Sequence, residues 1–343
     1  MTTNSALSPA ETSLAEVLRS FLASCGDWAW AVIDPAISEV MVNPNKTVFV
    51  QRAGRISKID AKVNQDDLTA GLQFLAGRSD KCFDDAHPIL DAILPDGSRV
   101  AATIPPASRE GVCLTIRKFS QQLFSLDDLV GFGSMPEWVA EIIAQAMRER
   151  QTMLVSGSTD SGKTTLCNAA ILHIPEDERL GILEDTRELK VFHENVFPFE
   201  TREEQKDNDG TLQVPALTMR QLVKHCLRMR PDRLIIGEVR GPEAFDLLDA
   251  LNTGHEGSMS TIHANSPALA LDRLASFAMR AGVNVPYESI CSDIGGLIRL
   301  VVQASRCDGK RFVSQVVRVD GYEREAKAFR LTPLYQFDGA ATA

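Results

Sequence analysis

Residues 157–164 read Gly-Ser-Thr-Asp-Ser-Gly-Lys-Thr, a complete Gly-x-x-x-x-Gly-Lys-[Ser/Thr] pattern. Polyphosphate binding asks for these residue types. Glycines let successive backbone N–H groups turn inward around an anion, and the positive end of a following helix faces it. Lys163 has the reach for β- and γ-phosphates, and the Thr164 hydroxyl can ligate Mg2+. The bland alternative is a Gly/Ser-rich turn before a helix. The flanks argue against it. Residues 151–156 (QTMLVS) read as a short buried strand and 165–173 (TLCNAAILH) as a helix with an apolar face, the strand–loop–helix context the pattern requires. The expected nucleotide cradle is Gly157, Ser158, Thr159, Asp160, Ser161, Gly162, Lys163, Thr164 and Thr165.

A chain of 343 residues is long enough for two domains with substantial cores. Net charge is −10 and there is no dense run of Lys or Arg, so strong direct nucleic-acid binding is not expected. The seven cysteines are scattered and lack C-x-x-C spacing, which fits reduced thiols rather than disulfides or a zinc site; Cys167 is expected to pack rather than react. No apolar stretch reaches bilayer-spanning length, and the first residues lack the basic start and apolar core of a signal peptide. The expectation is a cytoplasmic protein, with peripheral attachment to a membrane machine left open.

Along the chain, residues 1–10 read as disordered and 11–22 as a helix. Residues 39–59 alternate apolar and polar around Asn-Pro-Asn and Ala-Gly-Arg turns, a three-stranded meander. A helix at 68–75 and strands at 91–104 and 112–117 complete a mixed α+β N-terminal domain, 11–122. Residues 123–136, with two glycines, read as a hinge linker. The C-terminal domain, 137–343, opens with a helix at 137–148. Strand-like runs follow at 152–155, 180–183, 233–236, 259–262 and 298–303, mostly separated by helices, so an α/β fold with a mainly parallel sheet is expected. Residues 203–210 read as a solvated loop.

Three further segments carry chemistry. In 181–189 (GILEDTREL) an apolar strand ends in Glu184 and Asp185, where ligands of open α/β sheets sit; alone it is a solvated acidic turn. In 228–241 (RMRPDRLIIGEVRG) a strand leads to Glu238, the usual place for an acid that holds Mg2+ through water or positions the attacking water. Single arginines around it default to structural pairing. Residues 253–267 (TGHEGSMSTIHANSP) put His255 and His263 around a strand. No third ligand with zinc spacing follows, and neutral histidines can hydrogen-bond a γ-phosphate.

In this order the segments resemble the Walker A, Asp box, Walker B and His box of the type II, type IV and Tad secretion ATPases. SEVMVNPNKTVFVQRAGRI, LPDGSRVAATIPP and CLTIRKFS are similar to that family's N-terminal domain. The resemblance implies a RecA-like P-loop C-terminal domain, a homohexameric ring, ATP and Mg2+ as ligands, and work at the inner membrane beside secretion-system proteins and other secretion ATPases. By position, Lys163 and Thr164 match the phosphate and Mg2+ ligands, Glu184 the acid that activates water, Glu238 the Walker B acid, and His255 and His263 the His box. Arg99 and Arg117 match N-terminal arginines that reach the phosphates. A conjugative or type IV secretion motor is the first expectation. A Tad or type II motor is the rival, set back because the chain lacks the long N-terminal region of the one and the cysteine-rich metal module of the other. Ser158 and Asp160 stand where the family often has glycine. Asp tolerates left-handed backbone angles, but a carboxylate near phosphates is unfavourable unless it points outward, so weaker or faster-exchanging nucleotide is expected. Asp160 also gives the only support to a non-hydrolysing, nucleotide-sensing scaffold.

Overall fold

A computed structural model describes residues 9–52, 54–78, 81–119, 123–206 and 211–338. Of the expected disordered opening, residues 1–8 lie outside this set, and Pro9 already begins a helix. Contacts divide the chain after residue 122 into two units.

The first unit contains helices α1 (Pro9–Cys25), α2 (Ala29–Ile33) and α3 (Gln65–Arg78) and strands β1 (Ile37–Val42), β2 (Val48–Arg52), β3 (Arg55–Ile59), β4 (Ile89–Ile93), β5 (Arg99–Thr103) and β6 (Cys113–Arg117). The strands form one antiparallel sheet in the order β3-β2-β1-β6-β5-β4. Alternation decides its buried face: Val40, Val42, Val48, Val50, Val100, Ala102, Leu114 and Ile116 share one core with Phe21, Leu68 and Leu72 of α1 and α3. The meander is present as β1–β3. The strand region expected over 91–104, broken at Asp96-Gly97, is a hairpin: Asp96 and Gly97, with φ +87°, turn the chain between β4 and β5.

The second unit contains α4 (Leu126–Gly131), α5 (Glu137–Arg148), β7 (Met153–Gly157), α6 (Lys163–Ile171), β8 (Leu180–Glu184), β9 (Val196–Glu200), β10 (Gln205–Lys206), β11 (Leu212–Val214), α7 (Met219–Cys226), β12 (Arg233–Ile236), α8 (Glu243–Asn252), β13 (Met259–Ile262), α9 (Pro267–Met279), α10 (Tyr287–Leu297), β14 (Leu300–Cys307), β15 (Lys310–Glu323) and β16 (Ala328–Gln336). Its sheet runs β16-β15-β14-β7-β13-β12-β8-β9. Strands β14 to β9 in that order are parallel, and β15 and β16 extend the sheet antiparallel. The central strands β7, β8, β12 and β13 are buried along their whole length, as strands covered on both faces must be. This is the α/β class that the strand and helix alternation implies.

Two expectations need correction. Residues 123–136 are not a free connector: Ser125 and Asp128 form a capping box that starts α4, and Leu126, Leu129 and Met135 are buried in the core of the second unit. The solvated loop expected over 203–210 includes β10, which pairs with β11; residues 207–210 lie outside the described set.

Candidate nucleotide site

Residues 157–165 run without interruption from the end of β7 into the first turn of α6. Two glycines are required by geometry. A Cβ on Gly157 would stand 2.4 Å from both the Ala304 carbonyl of β14 and Ser161 Oγ. Gly162, the residue before α6, has φ +95°, in the left-handed region. Ser161 Oγ donates to the Ser158 carbonyl at 2.8 Å and fixes the loop from inside. Among the described residues, no acceptor is found for the amides of Asp160, Gly162, Lys163 and Thr164. Unpaired N–H groups at the start of a helix are the donor set an anion takes up, so the loop fits a polyphosphate.

Lys163, only 8% exposed, turns its Nζ back to donate to the Gly157 carbonyl at 3.1 Å and the Ser158 carbonyl at 2.9 Å. Burial lowers its pKa, and the Glu238 carboxylate opposes that shift. His263, just past β13, stands 3.4 Å from Lys163 Nζ and 3.1 Å from Glu238 Oε1. Burial first, then the Lys163 charge, lowers the imidazole pKa against the pull of Glu238. His263 is therefore neutral near pH 7, and we assign its Nε2–H as donor to Glu238. The contact is a hydrogen bond rather than an ion pair. Arg240 Nη2 donates to the other oxygen of Glu238 at 2.7 Å.

Glu184 closes β8 and is 4% exposed. Its Oε1 accepts from the Glu188 and Leu189 amides, both at 2.8 Å. Those bonds favour the charged form, but burial outweighs them and pushes the pKa up to about 7. A Cβ on Gly237 would stand 3.0 Å from Glu184 Cγ, so the glycine before Glu238 lets the β8 and β12 ends meet. Glu188, not among the expected site residues, accepts from Thr164 Oγ1 at 3.2 Å. Its segment is tied to α6 where the Lys190 amide donates 2.9 Å to Asn168 Oδ1. The acidic segment 184–188 signalled it, since the segment offers three acids and only geometry decides which meets the hydroxyl.

The structure thus gathers Lys163, Thr164, Glu184, Glu238 and His263 at the carboxyl ends of the parallel strands. His255 does not join them. It precedes the four-residue β13, which His263 follows, and a strand of that length carries its ends about 13 Å apart. His255 Nδ1 instead donates to the Ala250 carbonyl at 3.0 Å, at the end of α8. Arg99 and Arg117 lie in the first unit, directly opposite each other across β5 and β6. Asp160 has φ +60°, and its carboxylate is paired with Arg306 and Arg311. Burial pushes the Cys167 thiol up to about 12, so it packs as an uncharged residue. Arg233 is fully buried and pairs with Glu178 at 2.6 Å, the structural role expected of single arginines there. Among the described residues, no cluster of three His, Cys, Asp or Glu could hold a metal. None of the helices there is long and apolar enough to cross a membrane. A hydrated Mg2+ shared with phosphates needs no such cluster.

The model of the family described as type II/IV secretion system protein matches residues 28–331. The conjugal transfer protein TrbB of Rhizobium radiobacter is 35% identical over 318 residues, covering 89% of this chain and 91% of that protein. The type IV secretion system protein VirB11 of Brucella suis is 33% identical over 292 residues, covering 75% of this chain and 78% of that protein. The X-ray structure of the Legionella pneumophila ATPase DotB covers 95% of this chain and 84% of its own, with a TM-score of 0.59 at 18% identity, a likeness of fold.

Proposed function

Because the chain belongs to the type II/IV secretion system protein family, we propose that it hydrolyses ATP to power a type IV secretion or conjugative transfer apparatus. The carrying observation is the chain of contacts from the loop lysine through His263 to Glu238, at 3.4 and 3.1 Å. It acts as a cytoplasmic hexameric ring, held peripherally at the inner membrane by secretion-system proteins.

Lys163 and the loop amides bind the phosphates, and the amine exchanges its two carbonyl acceptors for phosphate oxygens. Thr164 and Glu238 would hold Mg2+, which would neutralise charge on the transferred phosphoryl group. In that role the Thr164 hydroxyl would give up its bond to Glu188. Glu184 takes the proton of the attacking water on Oε2, since Oε1 is committed to two backbone amides. His263, a neutral imidazole with one N–H, turns that donor from Glu238 to the γ-phosphate when it senses it. Arg99 and Arg117 keep the phosphate-binding role that the family resemblance gives them, and replacing either with Gln is expected to weaken nucleotide binding.

Phosphate release from Mg-ATP by the purified chain tests the proposal. Lys163→Ala is expected to lose turnover by at least about a hundredfold. Equal release by parent and variant overturns the assignment, and binding without release by the parent favours the sensing scaffold.

A further inference from the structure

Asp160 puts an acid at the tip of a loop built to receive an anion. Its carboxylate is held from two sides, by Arg306 Nη1 and by Arg311 Nη2. Arg311 Nε also donates to the Asp160 carbonyl at 3.0 Å. The two arginines are register partners at the closed end of the β14–β15 hairpin. Like charges directly opposite on neighbouring strands repel; a single carboxylate bridging them offsets that cost. The trio keeps one net positive charge, two guanidiniums against one carboxylate. The Arg311 stem also lies on the loop, its Cδ 3.2 Å from where a Cβ of Gly162 would stand. The parallel pairing of β14 with β7, as far as Ala304 opposite Gly157, brings the hairpin there.

We propose that Arg306 and Arg311 are positioning residues for the phosphate loop: they draw the Asp160 carboxylate off the anion-binding side. This rests on the nucleotide-binding reading above. The acid is tolerated because its charge is already answered, and the two ion pairs hold the left-handed turn that glycine would otherwise supply. Loss of both guanidiniums leaves the carboxylate uncompensated beside the phosphates. Loss of the carboxylate removes the need for them.

The test is the dissociation rate of a fluorescent ADP analogue with Mg2+ from the full chain, its Arg306→Gln/Arg311→Gln variant, Asp160→Gly, and the triple variant. The double variant is expected to release the probe about tenfold faster, and adding Asp160→Gly is expected to restore the parent rate to within about twofold. Equal acceleration with and without Asp160 overturns the proposal, because the arginines then act on phosphate directly. An unchanged rate in the double variant overturns it as well. If the unsubstituted chain binds no probe, the nucleotide reading itself falls and carries this inference with it. Should the double variant fail to fold, Asp160→Asn decides: an unchanged or slower release supports the proposal, and a faster one overturns it.

Discussion

A carboxylate that takes a proton from water near neutral pH works best with a pKa near 7. Glu184 reaches about 7 because burial exceeds the help of two backbone amides. The same property carries a stability cost with a definite sign. In the unfolded chain the group ionises near 4.5, and in the folded chain near 7. Between those values the folded state binds more protons, so stability falls as pH rises, by about 1.4 kcal/mol per pH unit and about 3 kcal/mol over the window at most. Glu184→Gln is therefore expected to unfold at higher urea than the parent at pH 8, with the advantage shrinking toward pH 5, while turnover drops at least about a hundredfold. Equal stabilisation at both pH values would show that burial does not set this group's ionisation. Turnover of the parent should rise with pH through about 7 in the same preparation. At this scale the sequence told residue types well and partners badly. Lys163, Glu184, Glu238 and His263 were legible from motif spacing. The arginines of Asp160 lie 146 and 151 residues away, a separation with no periodic trace. Thr164 meets Glu188 rather than solvent because α6 is tied to the segment after Glu184.

Strand ends, more than strands, decide what the second unit can do. At their amino side, Arg233 joins four segments: it pairs with Glu178 through two bonds of 2.6 Å and donates to the Met147 and Gly257 carbonyls at 2.7 and 3.3 Å. Arg150 adds a bond of 3.0 Å to the Asp232 carbonyl. Removing one partner of a buried pair strands the other charge, so Arg233→Ala is expected to cost roughly 3–5 kcal/mol by urea denaturation. Arg233→Met with Glu178→Leu should recover most of it; a loss under about 1 kcal/mol in the single variant would contradict the pairing. Ser125→Ala, which removes the cap of α4, is expected to cost about 1 kcal/mol. The buried parallel strands were readable as short apolar runs. β9 is not, because Pro198 in its sequence argues against a strand, yet at a sheet edge the proline is accommodated with the pairing to β8 unbroken. β15 and β16 do not stand out in the sequence because arginines, glutamine and aspartate share their segments with the apolar residues. The glycines of 123–136 suggested freedom, yet Leu126, Leu129 and Met135 supply apolar surface worth burying.

For the whole molecule, the proposed ring is the property furthest from a single chain. Sedimentation of the full chain with Mg2+ and a slowly hydrolysed ATP analogue is expected to give a hexamer. A monomer at saturating nucleotide would remove the ring from the proposal while leaving hydrolysis to be judged by phosphate release. Family motifs made the nucleotide end of the second unit readable from sequence, but they ran the two histidines together. Only the course of β13 separates His263, beside Lys163, from His255, which caps α8. The unit has one end where Lys163, His263, Glu238 and Thr164 meet and another cross-braced by a buried guanidinium. Arg233 holds that second end by joining β12 to residues 147, 178 and 257 through buried bonds.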